Sequence, residues 1–311
     1  ILDMYASIPS EALNYPNKRN LVGFGFAPEG IENNEIIYEL LSDVAWTREK
    51  IDLDDWVQKY SLQRYGSYPA SIKEAYDLLN KSAFGTFTDH PMHRYQFRPY
   101  NKPEGVEDHA TVHHSTEFGI AVDAFLKDGQ SLKNNPFYTY DAIEMVTQYL
   151  GLVVDQKLLN FLAAKEQGQT ANLDEIINIL LTMDRLLLSH PNRNLEDWLT
   201  FARKWGDTPE DKDYYEANAR KLITTWGGEP INDYAGRIWS GLIRDYYASR
   251  WQAFHKEAYS ERPLSERKAD MRKWEERWIN ASGVSEAVPF ADPISVAQEM
   301  YEKYKSAPIQ P

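Results

Sequence analysis

The chain has 311 residues, 42% of them hydrophobic and 26% charged, which is enough for one large domain or two unequal ones. Its net charge of −13 argues against a nucleic-acid partner, because a phosphate backbone is bound by patches of Lys and Arg. It contains no cysteine, which excludes disulfides, thiolate catalysis and cysteine-ligated metals, and no apolar run approaches the roughly 18 residues of a membrane-spanning helix.

The first predicted element is a short buried strand over residues 20–26, which are apolar and interrupted by glycines. A turn over residues 27–30 follows, and apolar residues at helical spacing predict a helix over about 33–46. A strand that ends in a carboxylate and leads into a helix is typical of the last unit of a (β/α)8 barrel. We therefore predict that residues 1–50 are the C-terminal end of such a barrel, and, since the chain starts at Ile1, that the earlier units lie upstream.

From residue 51 onward the pattern predicts one helix after another. Asp52 suits the N-cap of the first of them, and Gly66 suits its C-terminal end. Further helices are predicted at about 71–83, 140–166, 172–189, 196–204, 209–226, 233–260, 263–280 and 292–305. In the 172–189 helix, Asp184 interrupts an otherwise apolar stripe. The fold class is thus mainly α, with residues 51–311 forming a large all-helical domain.

Residues 86–115 show no sustained periodicity. A segment of this length is usually functional or disordered, and its aromatic residues favour an ordered one. It contains five histidines, namely His90, His93, His109, His113 and His114. Since no carboxylate accompanies them at a recognisable zinc spacing, the sequence predicts neither a metal site nor a cofactor.

Glu29 is the sharpest candidate for chemistry. Pro28 restricts the backbone before it and Gly30 frees the backbone after it, so that the carboxylate is aimed by the turn. Glycoside hydrolysis uses two carboxylates, about 5 to 5.5 Å apart if one is a nucleophile. Glu35 is one possible partner, although a glutamate early in a helix also suits the helix N-terminus, and a carboxylate from another strand is the other option.

A second candidate is the turn over residues 224–234. Gly227 and Gly228 suit the end of one helix, and Asp233 suits the N-cap of the next. Capping does not explain the two large aromatics at this junction, Trp226 and Tyr234. Aromatics on such a turn can form a pocket wall, and the aromatic content of 13% is a weak hint of sugar binding.

Several stretches resemble the α-N-acetylglucosaminidases of glycoside hydrolase family 89. The resemblance begins with Val-Gly-Phe-Gly-Phe-Ala-Pro-Glu-Gly at residues 22–30, followed by Asn34-Glu35. It continues in the same order at residues 64–66, 213–216, 222–227, 233–235, 246–247 and 250–251. These stretches are spread over nearly the whole chain, and the likeness between them is thin.

The resemblance implies a (β/α)8 barrel followed by an all-helical domain, with an active site that removes terminal α-linked N-acetylglucosamine with retention. It places the nucleophile at Glu29 and sugar-binding aromatics at Trp226 and Tyr234. We add Ile231 and Glu35 as substrate-binding candidates. The family's acid/base glutamate lies on an earlier barrel strand and has no counterpart here, so the implied partners are the glycan and an N-terminal barrel segment of the same protein.

An alternative from another functional class stays open. The chain would then be a non-catalytic helical carbohydrate-binding or scaffold module, whose aromatics bind glycans without cleaving them. The absence of cysteine favours an exported bacterial protein, periplasmic or extracellular, although the eukaryotic relatives are lysosomal.

Overall fold

The structure, a computed structural model, describes residues 1–27, 34–85, 92–99, 116–228, 232–255 and 262–306. The chain divides into two units, one drawn from residues 1–89 and 115–138 and the other from residues 90–114 and 139–311. Within the described ranges the regular structure is helical, and β-type pairing is limited to one isolated bridge between Asn194 and Ser240. The prediction of a mainly helical chain is confirmed.

The first unit contains six helices in its described residues. They are α1 (Leu2–Asn14), α2 (Glu35–Val44), α3 (Leu53–Tyr65), α4 (Ala70–Lys81), α5 (Thr116–Leu126) and the short α6 (Gly129–Leu132). The long helix α7 (Pro136–Glu166) has its first residues in this unit and the rest in the second.

The described part of the second unit begins with a 3-10 turn at Arg94–Gln96. Its helices after α7 are α8 (Asp174–Leu187), α9 (Leu195–Arg203), α10 (Pro209–Leu222), a π-helical segment Ile243–Ala248 that continues into α11 (Ser249–Phe254), α12 (Leu264–Ile279) and α13 (Pro293–Tyr304). None of the helices described in either unit is long and apolar enough to cross a membrane.

Capping residues mark both ends of α3 and the start of α10, and these three helix ends lie where they were predicted. The Asp52 carboxylate accepts the backbone N–H of Asp55 at 3.1 Å, and α3 ends at Gly66 in the left-handed conformation with φ 71°. Thr208 and Asp211 form a capping box at the start of α10. Capping depends on a few neighbouring residues, so a local sequence pattern is sufficient to predict it.

Two predicted helices in the second unit are shorter than expected. The helix expected over 209–226 ends at Leu222, and the helix expected over 233–260 begins only at Ile243, with residues 256–260 outside the described ranges. Asp233 and Gly241 have positive φ angles of 66° and 84°, which a right-handed helix does not accommodate. Asp233 is therefore not the N-cap of the following helix.

The buried strand predicted for residues 20–26 is not formed. Residues 21–27 are irregular and exposed, with Val22 96% exposed, and a Cβ added at Gly23 or Gly25 would meet no atom within 4 Å. A strand is stabilised by hydrogen bonds to neighbouring strands, and the described residues provide none for this segment. The assignment of residues 1–50 to the end of a barrel accordingly stays a prediction.

Aromatic side chains build much of the core of the first unit. The Phe125 and Tyr138 rings stack with centroids 4.9 Å apart, and Tyr65 contacts both edge-on. The Tyr138 hydroxyl donates to the carbonyl of Phe125 at 2.6 Å, and burial raises the pKa of this phenol. Part of the high aromatic content therefore has a packing role.

Gly151, in the middle of α7, allows the 92–99 segment to lie against this helix. A Cβ at this position would lie 2.4 Å from Nε2 of His93, whose ring stacks on Tyr95 and whose Nδ1 is 2.9 Å from Asp155. Because Tyr95 and Asp155 hold the imidazole ring, it cannot move away from an added Cβ without losing one of these contacts. We expect Gly151→Ala to lower the free energy of unfolding by about 1–3 kcal/mol, although alanine is the better helix former.

Urea unfolding followed by circular dichroism measures this effect. Gly25→Ala is the matched control, since its Cβ would meet no atom within 4 Å. Stability of Gly151→Ala equal to that of the control would contradict the steric role of Gly151.

Candidate active-site turn

The turn that carries Trp226 begins directly after α10. The Thr224 hydroxyl donates to the carbonyl of Arg220 at 2.7 Å, which ends the helix with a side-chain hydrogen bond. Gly227 and Gly228 follow with φ angles of 76° and 75°. Consecutive left-handed residues favour glycine, so the pair of glycines explains how the chain leaves the helix axis here.

Trp226 and Tyr234 lie together on this turn. Their ring centroids are 6.3 Å apart and the ring planes are inclined by 37°. Trp226 remains 44% exposed, and Tyr234 is partly exposed. Two neighbouring aromatic rings that are open to solvent present an apolar surface with polar edges, which suits the C–H face of a sugar ring.

A backbone hydrogen bond closes the turn beside the two rings. The N–H of Asp233 donates to the carbonyl of Thr224 at 2.7 Å, and the carbonyl of Asp233 accepts the N–H of Gly236 at 2.9 Å. Asp233 has a φ of 66°, a conformation that aspartate tolerates better than most residues. The two ends of the turn are therefore joined next to Trp226 and Tyr234.

Four buried charged side chains lie beneath this closure, and we refer to them as the Arg250 cluster: Arg98, Asp233, Arg250 and Glu275. Each of these side chains is at most 3% exposed. Nη1 of Arg250 donates to both carboxylate oxygens of Asp233, at 2.9 and 3.1 Å, and lies 3.2 Å from Glu275. Arg98 binds the carboxylate of Glu275 through two nitrogens, with Nε at 2.8 Å. Two positive and two negative charges thus compensate each other.

Burial and the neighbouring charges shift the pKa values of the cluster in opposite directions. Burial raises the pKa of Asp233, while the neighbouring Arg250 opposes this rise. Burial favours the neutral form of Arg250, but the carboxylates of Asp233 and Glu275 hold its pKa above the ordinary value. Burial also raises the pKa of Tyr246, whose hydroxyl lies 3.1 Å from Arg250. Removal of one partner would leave a buried charge without compensation.

The described middle of the histidine-rich segment is docked on the same cluster. Nη2 of Arg250 donates to the carbonyl of Gln96 at 2.6 Å, and the Trp251 indole donates to the carbonyl of Tyr95 at 2.9 Å. Arg98 also donates to the side-chain oxygen of Asn232 at 2.9 Å. Residues 92–99 are therefore held by hydrogen bonds, and the rest of the 86–115 segment lies outside the described ranges.

His93, the histidine of this segment that the structure describes, is part of the packed interior. His93 is buried, bonded to Asp155 through Nδ1. The described ranges contain no group of three or more side chains suited to a metal ion. The other histidines considered for metal binding, His90, His109, His113 and His114, lie outside those ranges.

Glu35 is the first residue of α2. Asn34 is the N-cap, and its side-chain oxygen accepts the N–H of Ile36 at 3.3 Å. The carboxylate of Glu35 lies 4.0 Å from Nη2 of Arg64. Its predicted part in substrate binding stays a prediction, as do the roles of Glu29 and Ile231, which lie outside the described residues.

The sequence interpretation missed the Arg250 cluster, although a signal for one member was present. Met271, Glu275 and Trp278 lie on one buried face of α12, so Glu275 is a charge on an apolar stripe. Asp184, which was noticed for the same reason, is fully buried and accepts the N–H of Gly241 at 2.6 Å. A charge on an apolar helix face is thus the pattern that indicates buried anchors in this chain.

Two protein-family models match the chain. The model of the α-N-acetylglucosaminidase (NAGLU) C-terminal domain matches residues 56–303, and the model of the TIM-barrel domain of the same enzyme matches residues 2–48. Human α-N-acetylglucosaminidase is 27% identical to the chain over an alignment of 253 residues, and the match covers 79% of this chain and 34% of the human protein.

Solved structures of a family 89 glycoside hydrolase from Clostridium perfringens are also similar. A complex with 2-acetamido-1,2-dideoxynojirmycin has a TM-score of 0.84 and 25% identity, covering 99% of this chain and 38% of that one. A variant with two glutamates replaced by glutamine, in complex with its substrate GlcNAc-α-1,4-galactose, has a TM-score of 0.83 and 25% identity, covering 96% and 37%. The chain thus spans about a third of the length of these relatives.

Proposed function

The chain belongs to the α-N-acetylglucosaminidase family, and we propose that, together with a catalytic barrel, it releases terminal α-linked N-acetylglucosamine from glycans. The observation that carries this proposal is the pair formed by the exposed Trp226 and the partly exposed Tyr234. The turn that bears them is joined to the buried ion pair of Asp233 and Arg250. The names of the human and clostridial relatives support the reaction class. The substrate of the clostridial enzyme, GlcNAc-α-1,4-galactose, supports the sugar.

The aromatic pair is proposed to hold the terminal sugar. A pyranose presents a face of C–H groups, and an N-acetyl group adds a methyl, so an indole and a phenol offer suitable apolar contact. The phenol of Tyr234 adds a polar group that can hydrogen-bond to a sugar hydroxyl. Ile231 and Glu35 are proposed as further contacts to the substrate.

Glu29 is proposed as the nucleophile of a retaining mechanism. Its carboxylate attacks the anomeric carbon while the glycosidic C–O bond breaks, and an acid supplied by the barrel protonates the leaving oxygen. Water then attacks the same carbon, the bond to Glu29 breaks, and the proton of the water passes to the former acid. Support comes from the position of Glu29 between Pro28 and Gly30 and from the family to which the chain belongs.

Trp226→Ala tests the proposed pocket wall. Loss of the indole face removes contact that the bound sugar and the transition state share, so we expect KM for an aryl α-N-acetylglucosaminide to rise about tenfold, with a smaller change in kcat. Initial rates of the complete protein measure both constants.

Trp205→Ala is the matched control for this prediction. Trp205 belongs to the same unit, is 78% exposed and lies outside the 224–234 turn. We expect its KM to be unchanged. An equal KM for Trp226→Ala and Trp205→Ala would contradict the assignment of the aromatic pair to the sugar-binding site.

A further inference from the structure

We infer that Asp233 and Arg250 are positioning residues for sugar recognition, because their buried ion pair fixes the turn that presents Trp226 and Tyr234. This inference rests on the proposed function and extends it to two side chains that are at most 2% exposed. They act through the turn and not by contact with the sugar.

The backbone of Asp233 is connected to both aromatic residues. Tyr234 directly follows Asp233, so the backbone of Asp233 sets where the phenol begins. The N–H of Asp233 also donates to the carbonyl of Thr224, two residues before Trp226. A shift of Asp233 therefore moves the attachment points of both aromatic side chains together.

Arg250 has contacts that fix its orientation as well as its charge. Its guanidinium binds the carboxylate of Asp233, the carbonyl of Gln96 at 2.6 Å and the hydroxyl of Tyr246 at 3.1 Å, and it lies 3.2 Å from Glu275. A planar group with acceptors on several sides has one compatible orientation. Charge compensation alone would require a single carboxylate, so this set of contacts indicates a fixed support for Asp233.

The chain after Tyr234 is fixed against the same layer. A Cβ at Gly236 would lie 2.6 Å from Cε of Met92 and 2.9 Å from the hydroxyl of Tyr247. That hydroxyl accepts the N–H of Arg237 at 3.1 Å. The aromatic pair is thus bounded on both sides by backbone that is packed or hydrogen-bonded.

The composition of the turn explains why such a support is needed. Gly227 and Gly228 make the turn possible, but glycines leave a free backbone with many accessible conformations. Binding is weakened when a site must be ordered by its ligand, and it is strengthened when the site is ordered beforehand. We assign that ordering to the Asp233–Arg250 pair.

Asp233→Asn is the test, because asparagine also tolerates a positive φ and keeps the size of the side chain. Asp184→Asn is the matched control: Asp184 is as buried, is paired with Arg244 and binds Gly241, outside the turn. In the complete protein, we expect Asp233→Asn to raise KM about tenfold with kcat within about threefold. Asp184→Asn is expected to leave KM unchanged.

Two further measurements distinguish positioning from general stability. Hydrogen exchange in the free protein should be faster in the peptide around residues 222–236 for Asp233→Asn, and not for Asp184→Asn. In the background of Trp226→Ala, where one of the two rings that the pair positions is absent, Asp233→Asn should raise KM by a smaller factor than in the native protein.

The outcomes separate this inference from the proposed function. If Trp226→Ala raises KM and Asp233→Asn adds its full effect in that background, the positioning role is overturned while the pocket stands. Unchanged exchange around residues 222–236, or faster exchange with unchanged KM, also overturns it. If Trp226→Ala itself leaves KM unchanged, the proposed pocket fails, and the inference fails with it.

Discussion

Glu29→Gln in the complete protein is expected to lower kcat for an aryl α-N-acetylglucosaminide on the order of 10⁴-fold, as removal of a covalent catalyst does elsewhere. An amide has nearly the size of the carboxylate, so the fold and the bound sugar should be little affected. Its oxygen carries no charge and is a poor nucleophile, so the glycosyl-enzyme would not form. Steady-state kinetics of the purified variant, with circular dichroism to verify folding, measure the loss.

Glu35→Gln is the control for that experiment. It makes the same chemical change in the same unit, six residues further along the chain. Since the residue begins α2 and lies 4.0 Å from Arg64, we expect at most about a tenfold effect, in the range of a lost binding contact. Near-normal turnover of Glu29→Gln would contradict the assignment of the nucleophile.

The largest expected effect on stability belongs to Arg250→Ala. The substitution leaves the buried carboxylate of Asp233 without the guanidinium that binds both of its oxygens, and it removes one of the partners of Glu275. Breaking a buried ion pair by removing one partner costs about 3–5 kcal/mol. The free energy of unfolding from urea denaturation should fall by that amount.

Arg262→Ala provides the comparison for this prediction. Arg262 also pairs with a carboxylate, that of Asp270, but both side chains are at least 40% exposed. An exposed pair contributes about 0–1 kcal/mol, so this variant should unfold nearly as the native protein does. A similar loss of unfolding free energy in both variants would show that the Arg250 cluster stabilises the fold no more than an exposed ion pair does.

The elements that the sequence predicted well are those with local causes. α3 and α10 have capping residues at their ends, and α8 has an apolar stripe at helical spacing. α1 and α5 were not predicted. The start of the helix after the turn was misplaced because Asp233 adopts a left-handed conformation and is bonded to Thr224 and Arg250, contacts that the residues next to it do not indicate.

The strand expected at residues 20–26 shows a different limit of sequence interpretation. Apolar residues punctuated by glycine are typical of a buried strand, but the pattern does not supply the neighbouring strands. In the described residues this segment has no such neighbour and is exposed. Its local pattern was therefore insufficient to decide its structure.

In the candidate site, too, one part was predicted from the sequence and another was not. Trp226 and Tyr234 were singled out because capping did not account for aromatics at a helix junction, and the structure brings their rings to 6.3 Å. The support beneath them was not predicted, because its partners are far apart in the chain. Arg98 and Glu275, for example, are separated by 177 positions. An apolar helix face can indicate that a charge such as Glu275 is buried, but the local sequence does not indicate the distant residue that pairs with it.

Mass spectrometry of a trapped intermediate tests the central claim most directly. The complete protein would be incubated with a fluorinated N-acetylglucosaminyl fluoride that slows hydrolysis of the glycosyl-enzyme, and then digested and sequenced. We predict one covalently bound sugar on the carboxylate of Glu29, and no label in Glu29→Gln. A label on a different carboxylate, or turnover that inverts the anomeric configuration without any adduct, would contradict the account.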